Sequence, residues 1–272
     1  MGKLQVLVTT MYETDLSKYD SMNLQTDALI ANQADLYDYQ FLKKGLSHAE
    51  LLTTKTRGTS RNRNLAIIHS STEAEYIMFA DDDQVMVDGY EAVVMDAFAR
   101  NKKAEAIKFC IEAVQARNLG KSYTGKYKRA GIRSVTSSGV QGLVIRRDVL
   151  LKYNLHFNEF FGPGTPLYCG EDSIFLQDLL KKGVKLYLSP EVISKIYEQG
   201  STWYEGYTEK YFMVNGMILS ATYPLLAYLL AVRSAYRFSK RKDCDMKFRN
   251  ILRCYSNGIR EYLTRSKEKS GI

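Results

Sequence analysis

YIMFADDDQV, residues 76–85, runs a short apolar and aromatic stretch straight into three aspartates. A continuous apolar run of this length reads as a strand covered on both faces, the kind found in parallel sheets. Carboxylates crowded at Asp81, Asp82 and Asp83 repel one another unless a cation or water compensates them. The carboxyl end of a buried strand is also where open α/β sheets bind ligands. Hard divalent ions, Mn²⁺ or Mg²⁺, accept carboxylate oxygens together with substrate phosphates, so the run is a candidate metal site. The bland alternative is a solvated acidic turn.

Outward from this strand, the pattern alternates. Leu4–Thr10, Ala28–Asn32 and Leu51–Lys55 read as strands before it. GTSRNRNLAIIHSS, residues 58–71, reads as a helix capped by Ser60 and reaching about His69. After it, Asp88 is placed to cap a helix whose Val93, Val94, Ala97 and Phe98 recur at helical spacing. Ala106–Ile111 and Gly142–Ile145 read as further strands. Glu171–Lys182 reads as a helix closed by Gly183, and Leu186–Ile193 as a last strand. Strand and helix in alternation predict a layered α/β fold with a mostly parallel central sheet and helices on both faces.

Composition narrows the class. The chain has 272 residues, 45% apolar and 25% charged, values of an ordinary globular protein. The net charge of +8 comes entirely from Arg233 onward, where twelve basic residues face four acidic ones; the rest holds 26 of each sign. A neutral fold with a basic appendage disfavours a nucleic-acid protein. Cys110, Cys169, Cys244 and Cys254 form no CxxC pair, and His48, His69 and His156 have no ligand spacing. The N-terminal run is too short for a secretory signal, and Val6 breaks the myristoylation pattern, so a reducing cytoplasm is expected.

Two further constellations carry chemistry. Arginines around Thr59 oppose the dipole of the helix they begin, an arrangement that makes sense if an anion sits at that terminus; the alternative is a surface patch paired with acids. The second is the glycine-rich Phe161–Thr165 loop followed by Glu171 and Asp172. First-turn carboxylates are ordinary helix stabilisers, and a catalytic base is the sharper reading. Trp203 and the tyrosines are candidates for stacking on a sugar.

The ordered set VLVTTMY, TSRNRNLAI, FADDDQV, GPGTPLYCGEDSIF and KKGVKLYLSPEV, spread over about residues 3–195, resembles the glycosyltransferase family 2 enzymes of GT-A fold, nearest to bacterial capsular and exopolysaccharide members. The resemblance implies a Rossmann-like GT-A domain over residues 1–200, and the charge and apolar pattern after it predict a helical, basic segment over 201–272. Asp81–Asp83 resembles the DXD motif, with Asp81 and Asp83 holding Mn²⁺ or Mg²⁺ against a nucleoside diphosphate and Asp82 beside it. Thr9, Thr10, Tyr12 and Asn32, with Gln33, are expected to line the nucleoside pocket, and Arg57 and Arg61 to approach the diphosphate. Glu171-Asp172 resembles the ED motif, whose aspartate is the base of an inverting transfer.

The expected activity is transfer of a hexose from a UDP-sugar to a saccharide or lipid-linked saccharide hydroxyl in surface polysaccharide assembly. Two departures stand out. The histidine that many metal-using relatives place after the last strand is missing from SKIYEQGSTW, where Glu198 is the candidate substitute and the alternative is a metal held by the DXD run and the phosphates alone; no QxxRW motif of processive synthases occurs. The alternatives are an inactive membrane partner on the same fold, or a sugar-phosphate nucleotidyltransferase, although TTMYETD lacks the glycine-rich loop of the latter.

Tyr211–Val232 carries no charge and is long enough to span hydrocarbon, which takes about twenty residues. Its Asn215, Gly216, Ser220, Thr222 and Pro224 favour helices broken near Pro224 instead. After it, Phe248, Ile251, Leu252, Tyr255, Ile259, Tyr262 and Leu263 share a helical face, flanked by Lys247, Arg249, Arg253 and Arg260. That basic amphipathic helix predicts peripheral attachment to an anionic membrane on the cytoplasmic face, or packing on the catalytic domain or on a second subunit in a homodimer.

Overall fold

The computed structural model describes residues 3–114, 125–136, 138–197 and 206–270. Glu198 and Trp203, both singled out above, lie outside them.

The first strands form where the apolar runs fall: β1 (Leu4–Met11), β2 (Asp27–Gln33), β4 (Ser47–Thr54) and β5 (Tyr76–Asp81), with α1 (Ser17–Ser21), β3 (Asp38–Lys44) and α2 (Thr59–Ile68) between them. Next come β6 (Gln84–Met86), α3 (Tyr90–Arg100), β7 (Ala106–Ala113), β8 (Lys128–Arg129) and α4 (Ile132–Val135). Then β9 (Leu143–Arg146), α5 (Arg147–Lys152), α6 (Glu171–Lys181) and β10 (Leu186–Ile196) complete the α/β part. The ten strands of the described residues make one sheet in the order β3-β4-β2-β1-β5-β9-β7-β10-β6, with β8 on β10. Pairing is parallel through β4-β2-β1-β5 and again at β7-β10, and antiparallel at β5-β9-β7 and the edges.

Alternation along the strands builds a core on each face. Val6, Val8, Met78 and Ala80 join Val94 and Phe98 of α3, whereas Leu7, Ile77 and Phe79 join Phe157, Phe175 and Leu179 of the α6 side. Both faces are covered, as the unbroken apolar runs require. Phe157 and Phe175 stack at 4.1 Å, with Phe79 edge-on to both.

Three local readings are corrected. β3 was not foreseen: DYQFLKK is an edge strand, exposed on nearly all its length, so no buried alternation marks it. Ser60 lies inside α2 rather than capping it, because Gly58 takes the cap with φ +103° and the Ser60 hydroxyl instead donates to the Phe161 carbonyl at 2.6 Å. Asp88 does not cap α3 either; Gly89 does, at φ +70°, while the Asp88 carboxylate accepts from Asn23 and Gln25 at 2.9 Å.

Contacts divide the chain into two compact units, Met1–Pro166 with Glu171–Ser201, and Leu167–Gly170 with Thr202–Ile272. The second holds α7 (Glu209–Thr222), α8 (Ala227–Phe238) and α9 (Phe248–Ser270), with the break at Pro224. Among the described residues no helix is long and apolar enough to cross a membrane. Two glycines let α7 and α9 touch backbone to backbone. A Cβ on Gly258 would lie 1.9 Å from the Met213 carbonyl oxygen, and one on Gly216 would lie 2.3 Å from that of Tyr255. This contact changes the reading of α9: Ile251, Tyr255 and Ile259 are buried among Phe212, Ala227, Ala231 and Ala235, so the face expected to meet lipid is occupied by helix packing.

Candidate active site

The parallel block β2-β1-β5 brings three strand ends together. Thr9 pairs in register with Asp81 across β1 and β5, and Thr10 with Asn32 across β1 and β2. At that edge Thr10 donates its hydroxyl to Asp82 at 2.6 Å, and Thr9 lies 3.4 Å from Asp81. Asp83 is exposed beyond the strand end. Tyr12 sits in the left-handed region at φ +59°, tied by its amide to the Gln33 carbonyl at 2.9 Å, with its ring exposed and the Arg57 guanidinium 5.9 Å from its centroid.

The remaining pocket candidates are engaged by protein partners: Asn32 inside the fold, Arg57 and Arg61 at its surface. Asn32 is fully buried and both accepts from the Glu13 amide and donates to its carbonyl, so its side chain braces the loop after β1. Arg57 donates to the Ala34 carbonyl at 2.8 Å and pairs with Asp35. Arg61 turns to Glu159 at 3.3 Å. The expected anion pocket at the α2 terminus is replaced by protein acceptors: the Gly58 amide donates to Gln33 Oε1 at 2.8 Å and the Thr59 amide to the Pro163 carbonyl at 3.0 Å. The glycine-rich loop therefore caps α2. Gly164 approaches Gly58 closely enough that a Cβ on it would lie 3.2 Å from the Gly58 Cα.

Arg63 is the cation that the carboxylates share. It lies on the buried face of α2 with Ser60 and Ala66, 3% exposed, its guanidinium 5.2 Å from the Phe157 ring. One nitrogen meets Asp81 at 2.7 Å, and another meets Asp172 at 2.5 Å and Glu171 at 3.8 Å. This fork joins the carboxyl end of β5 to the first turn of α6. Reading α2 by periodicity, with Arg63 three residues after Ser60 and three before Ala66, would have marked it.

The turn before β9 completes the cleft. The Val140 amide donates to the second Asp172 oxygen at 3.2 Å, and the Gln141 side chain donates to Asp81 at 2.6 Å. Lys108 of β7 holds this turn by donating to the Gln141 carbonyl at 2.7 Å. Gly139 keeps it compact, since a Cβ there would lie 1.8 Å from Gln141 Oε1 and 3.1 Å from Asp172. Arg63 belongs to the arginine run expected to meet an anion at the α2 terminus, and meets the protein's own carboxylates instead; Lys108 and Gln141 carry no such signal in the sequence.

Electrostatics follow from burial and from charges crowded together. Burial raises the Glu171 carboxyl, and the neighbouring Asp172 adds to it, to about 8. Burial also raises Asp172 above the ordinary carboxylate range against the pull of Arg63. Burial pushes Asp81 the same way, but Arg63 and the hydrogen bonds of Gln141 and Thr9 outweigh it and hold the group low. Burial lowers the Lys108 ammonium to about 8, partly offset by Asp172. A cavity of about 640 Å³ lined by Tyr76, Phe98 and Arg146 lies at the opposite end of β5 and takes no part.

The donor set suits a hard cation only in part. Among the described residues no three His, Cys, Asp or Glu side chains enclose a metal ion. Carboxylate oxygens at a strand end do fit Mg²⁺ or Mn²⁺ that draws its other ligands from water and a diphosphate.

No protein-family profile and no curated protein matches the chain. Solved structures do. S. aureus TarS superposes with a TM-score of 0.56 at 13% identity, over 97% of this chain and 43% of that one. S. aureus TarS 1–349 in complex with UDP gives 0.58 at 13% identity, covering 98% of this chain and 72% of that one. The UDP-GlcNAc complex gives 0.58 at 14%, covering 98% and 73%. The chain thus spans less than half of the longer TarS chain. Shared architecture at this identity establishes the fold, a GT-A-like α/β layer built on one mixed sheet.

Proposed function

We propose that the protein is an inverting glycosyltransferase that moves a hexose from a UDP-sugar to a hydroxyl of a saccharide or lipid-linked saccharide. The observation that carries this reading is the Arg63 fork, which sets the Asp81 strand end and Asp172 in one desolvated cleft. The likeness to TarS solved with UDP and with UDP-GlcNAc supports the donor class. Resemblance of Asp81–Asp83 to a full DXD run favours UDP over deoxythymidine-linked donors.

Asp81 and Asp83 would hold Mn²⁺ or Mg²⁺, which supplies charge for the departing diphosphate. The protein's own groups do the rest. Thr9, Thr10 and Tyr12 sit at the strand ends where the nucleoside binds, with Arg57 against the Tyr12 ring. Asp172, oriented by the Val140 amide and Arg63, accepts the acceptor hydroxyl's proton as that oxygen attacks the anomeric carbon from the face opposite the diphosphate. Its raised pKa makes it a stronger base than an exposed aspartate. A single displacement inverts the centre, so an α-linked donor yields a β-linkage.

Work on a lipid-linked acceptor places the enzyme peripherally on the inner face of the cell membrane. The direct test incubates the protein and Asp172→Asn with a panel of UDP-sugars, Mn²⁺ and saccharide acceptors, reading released UDP and product stereochemistry. The expected result is transfer with inversion, reduced roughly 10²- to 10⁴-fold in the variant with UDP affinity retained. Undiminished turnover in Asp172→Asn would reassign the base to Glu171.

A further inference from the structure

The helix α8 divides its surface in a way the catalytic reading does not use. Its buried side is all alanine: Ala227, Ala231 and Ala235 pack into the helical unit. Continuing from the preceding turn, Leu225, Leu229, Val232 and Tyr236 follow one another at spacings of four, three and four residues, and Tyr228, four residues before Val232, joins them in one stripe. All five are exposed, Leu225 by 97%, Leu229 by 67% and Tyr236 by 60%. Isolated exposed apolar residues mean little, but a contiguous stripe marks an interaction surface.

Charge chooses the occupant. Arg233, Arg237 and Lys240 line one flank of the stripe, all exposed. Among the described residues none of them makes an ion pair, whereas the nearby Arg241 is held by Asp243. Lys240 lies over the Tyr236 ring at 5.7 Å, so the basic flank and the apolar stripe are continuous. No carboxylate occurs from Tyr211 to Lys242. A second copy of the chain meeting this face by two-fold symmetry would bring the same basic flank against itself without an acid to answer it. An anionic lipid surface answers both halves: acyl chains take the stripe, and headgroup phosphates take the arginines and lysine.

We propose that α8 is the membrane-docking helix of this protein, lying in the plane of an anionic bilayer with Leu225, Leu229 and Val232 at the acyl boundary. This rests on the reading of a membrane-borne acceptor and transfers the lipid contact from α9, whose apolar face is packed, to α8.

The experiment is co-sedimentation with phosphatidylcholine vesicles, with and without phosphatidylglycerol, using the full chain and three variants checked for native circular dichroism. Wild type pellets with the anionic vesicles. Arg233→Glu/Arg237→Glu/Lys240→Glu loses roughly 100-fold or more of that affinity, at about fivefold for each basic residue within reach of the surface. Leu229→Ser/Val232→Ser, which leaves the charges in place, loses binding at least tenfold. Arg249→Glu/Arg253→Glu on α9 binds within threefold of wild type. Equal recovery with both vesicle types, or a larger loss from the α9 variant, overturns the assignment. So does concentration-dependent dimerisation in light scattering that the serine variant abolishes. Release of UDP from a UDP-sugar with a soluble acceptor is measured in parallel. All three variants retain it if the transferase reading holds, so failure at the membrane and failure of that reading are told apart.

Discussion

Arg63 answers three carboxylates with one fork, and its replacement tests that geometry. Arg63→Lys keeps the charge but cannot span Asp81 and Asp172 together, because an ammonium is a point donor where a guanidinium is a planar fork. Turnover is expected to fall at least roughly tenfold with the fold intact, whereas Arg63→Met should destabilise by about 3–5 kcal/mol by leaving buried carboxylates unanswered. Chemical denaturation and kinetics on the two variants separate positioning from stability. Glu171 gives a pH signature. Its folded pKa of about 8 lies above the ordinary carboxylate value. Its contribution to stability is therefore complete below about pH 4.5 and is lost as the pH rises through about 8. Glu171→Gln, which stays neutral, should show a smaller fall in melting temperature between those limits than wild type. Equal pH slopes would mean Glu171 is already ionised in the fold.

At the scale of elements, the helical unit depends on two backbones in contact. Gly258→Val forces a side chain into the Met213 carbonyl and pushes α9 off α7, at a cost of several kcal/mol, on the order of the large overpacking penalties. Gly89→Ala, with nothing within 4 Å of its Cβ, should lose only the penalty of its positive φ, on the order of 1 kcal/mol. Thermal unfolding of the two measures the difference. The loop Gly162–Thr165 belongs to this scale too. Its sequence suggests a ligand cradle, yet its Pro163 carbonyl accepts from the Thr59 amide at the start of α2, beside the Phe161 carbonyl that accepts from Ser60.

At the scale of the molecule, the site exists because strands far apart in sequence end at one edge. UDP affinity measured by calorimetry with Mn²⁺ should fall at least roughly tenfold when a chelator replaces the ion, and Asp83→Ala should reproduce much of that loss. Unchanged affinity in both would exclude a metal at the Asp81–Asp83 strand end.

Local chemistry was enough to read much of this. Uninterrupted apolar runs announce β1, β2 and β5, because burial on both faces demands them, and Gly183 announces the end of α6 at φ +84°. Asp81, Glu171 and Asp172 stood out because carboxylates at a strand end and a helix start are visible as spacing. Pro224 announced the break between α7 and α8 because proline lacks the amide a continuing helix needs. What only the tertiary structure decided depends on partners distant in the chain. Arg63 is visible only as one of an arginine run, and Gln141 and Lys108 are unremarkable in sequence; they matter because β5, β7, the turn before β9 and α6 bring their polar atoms within hydrogen-bond reach. The edge strand β3 has no buried face to pattern. The apolar residues of α8 and α9 look alike in sequence, and packing alone chose which set to cover, since close approach needed Gly216 and Gly258 on α7 and α9 and left the larger side chains of α8 outside.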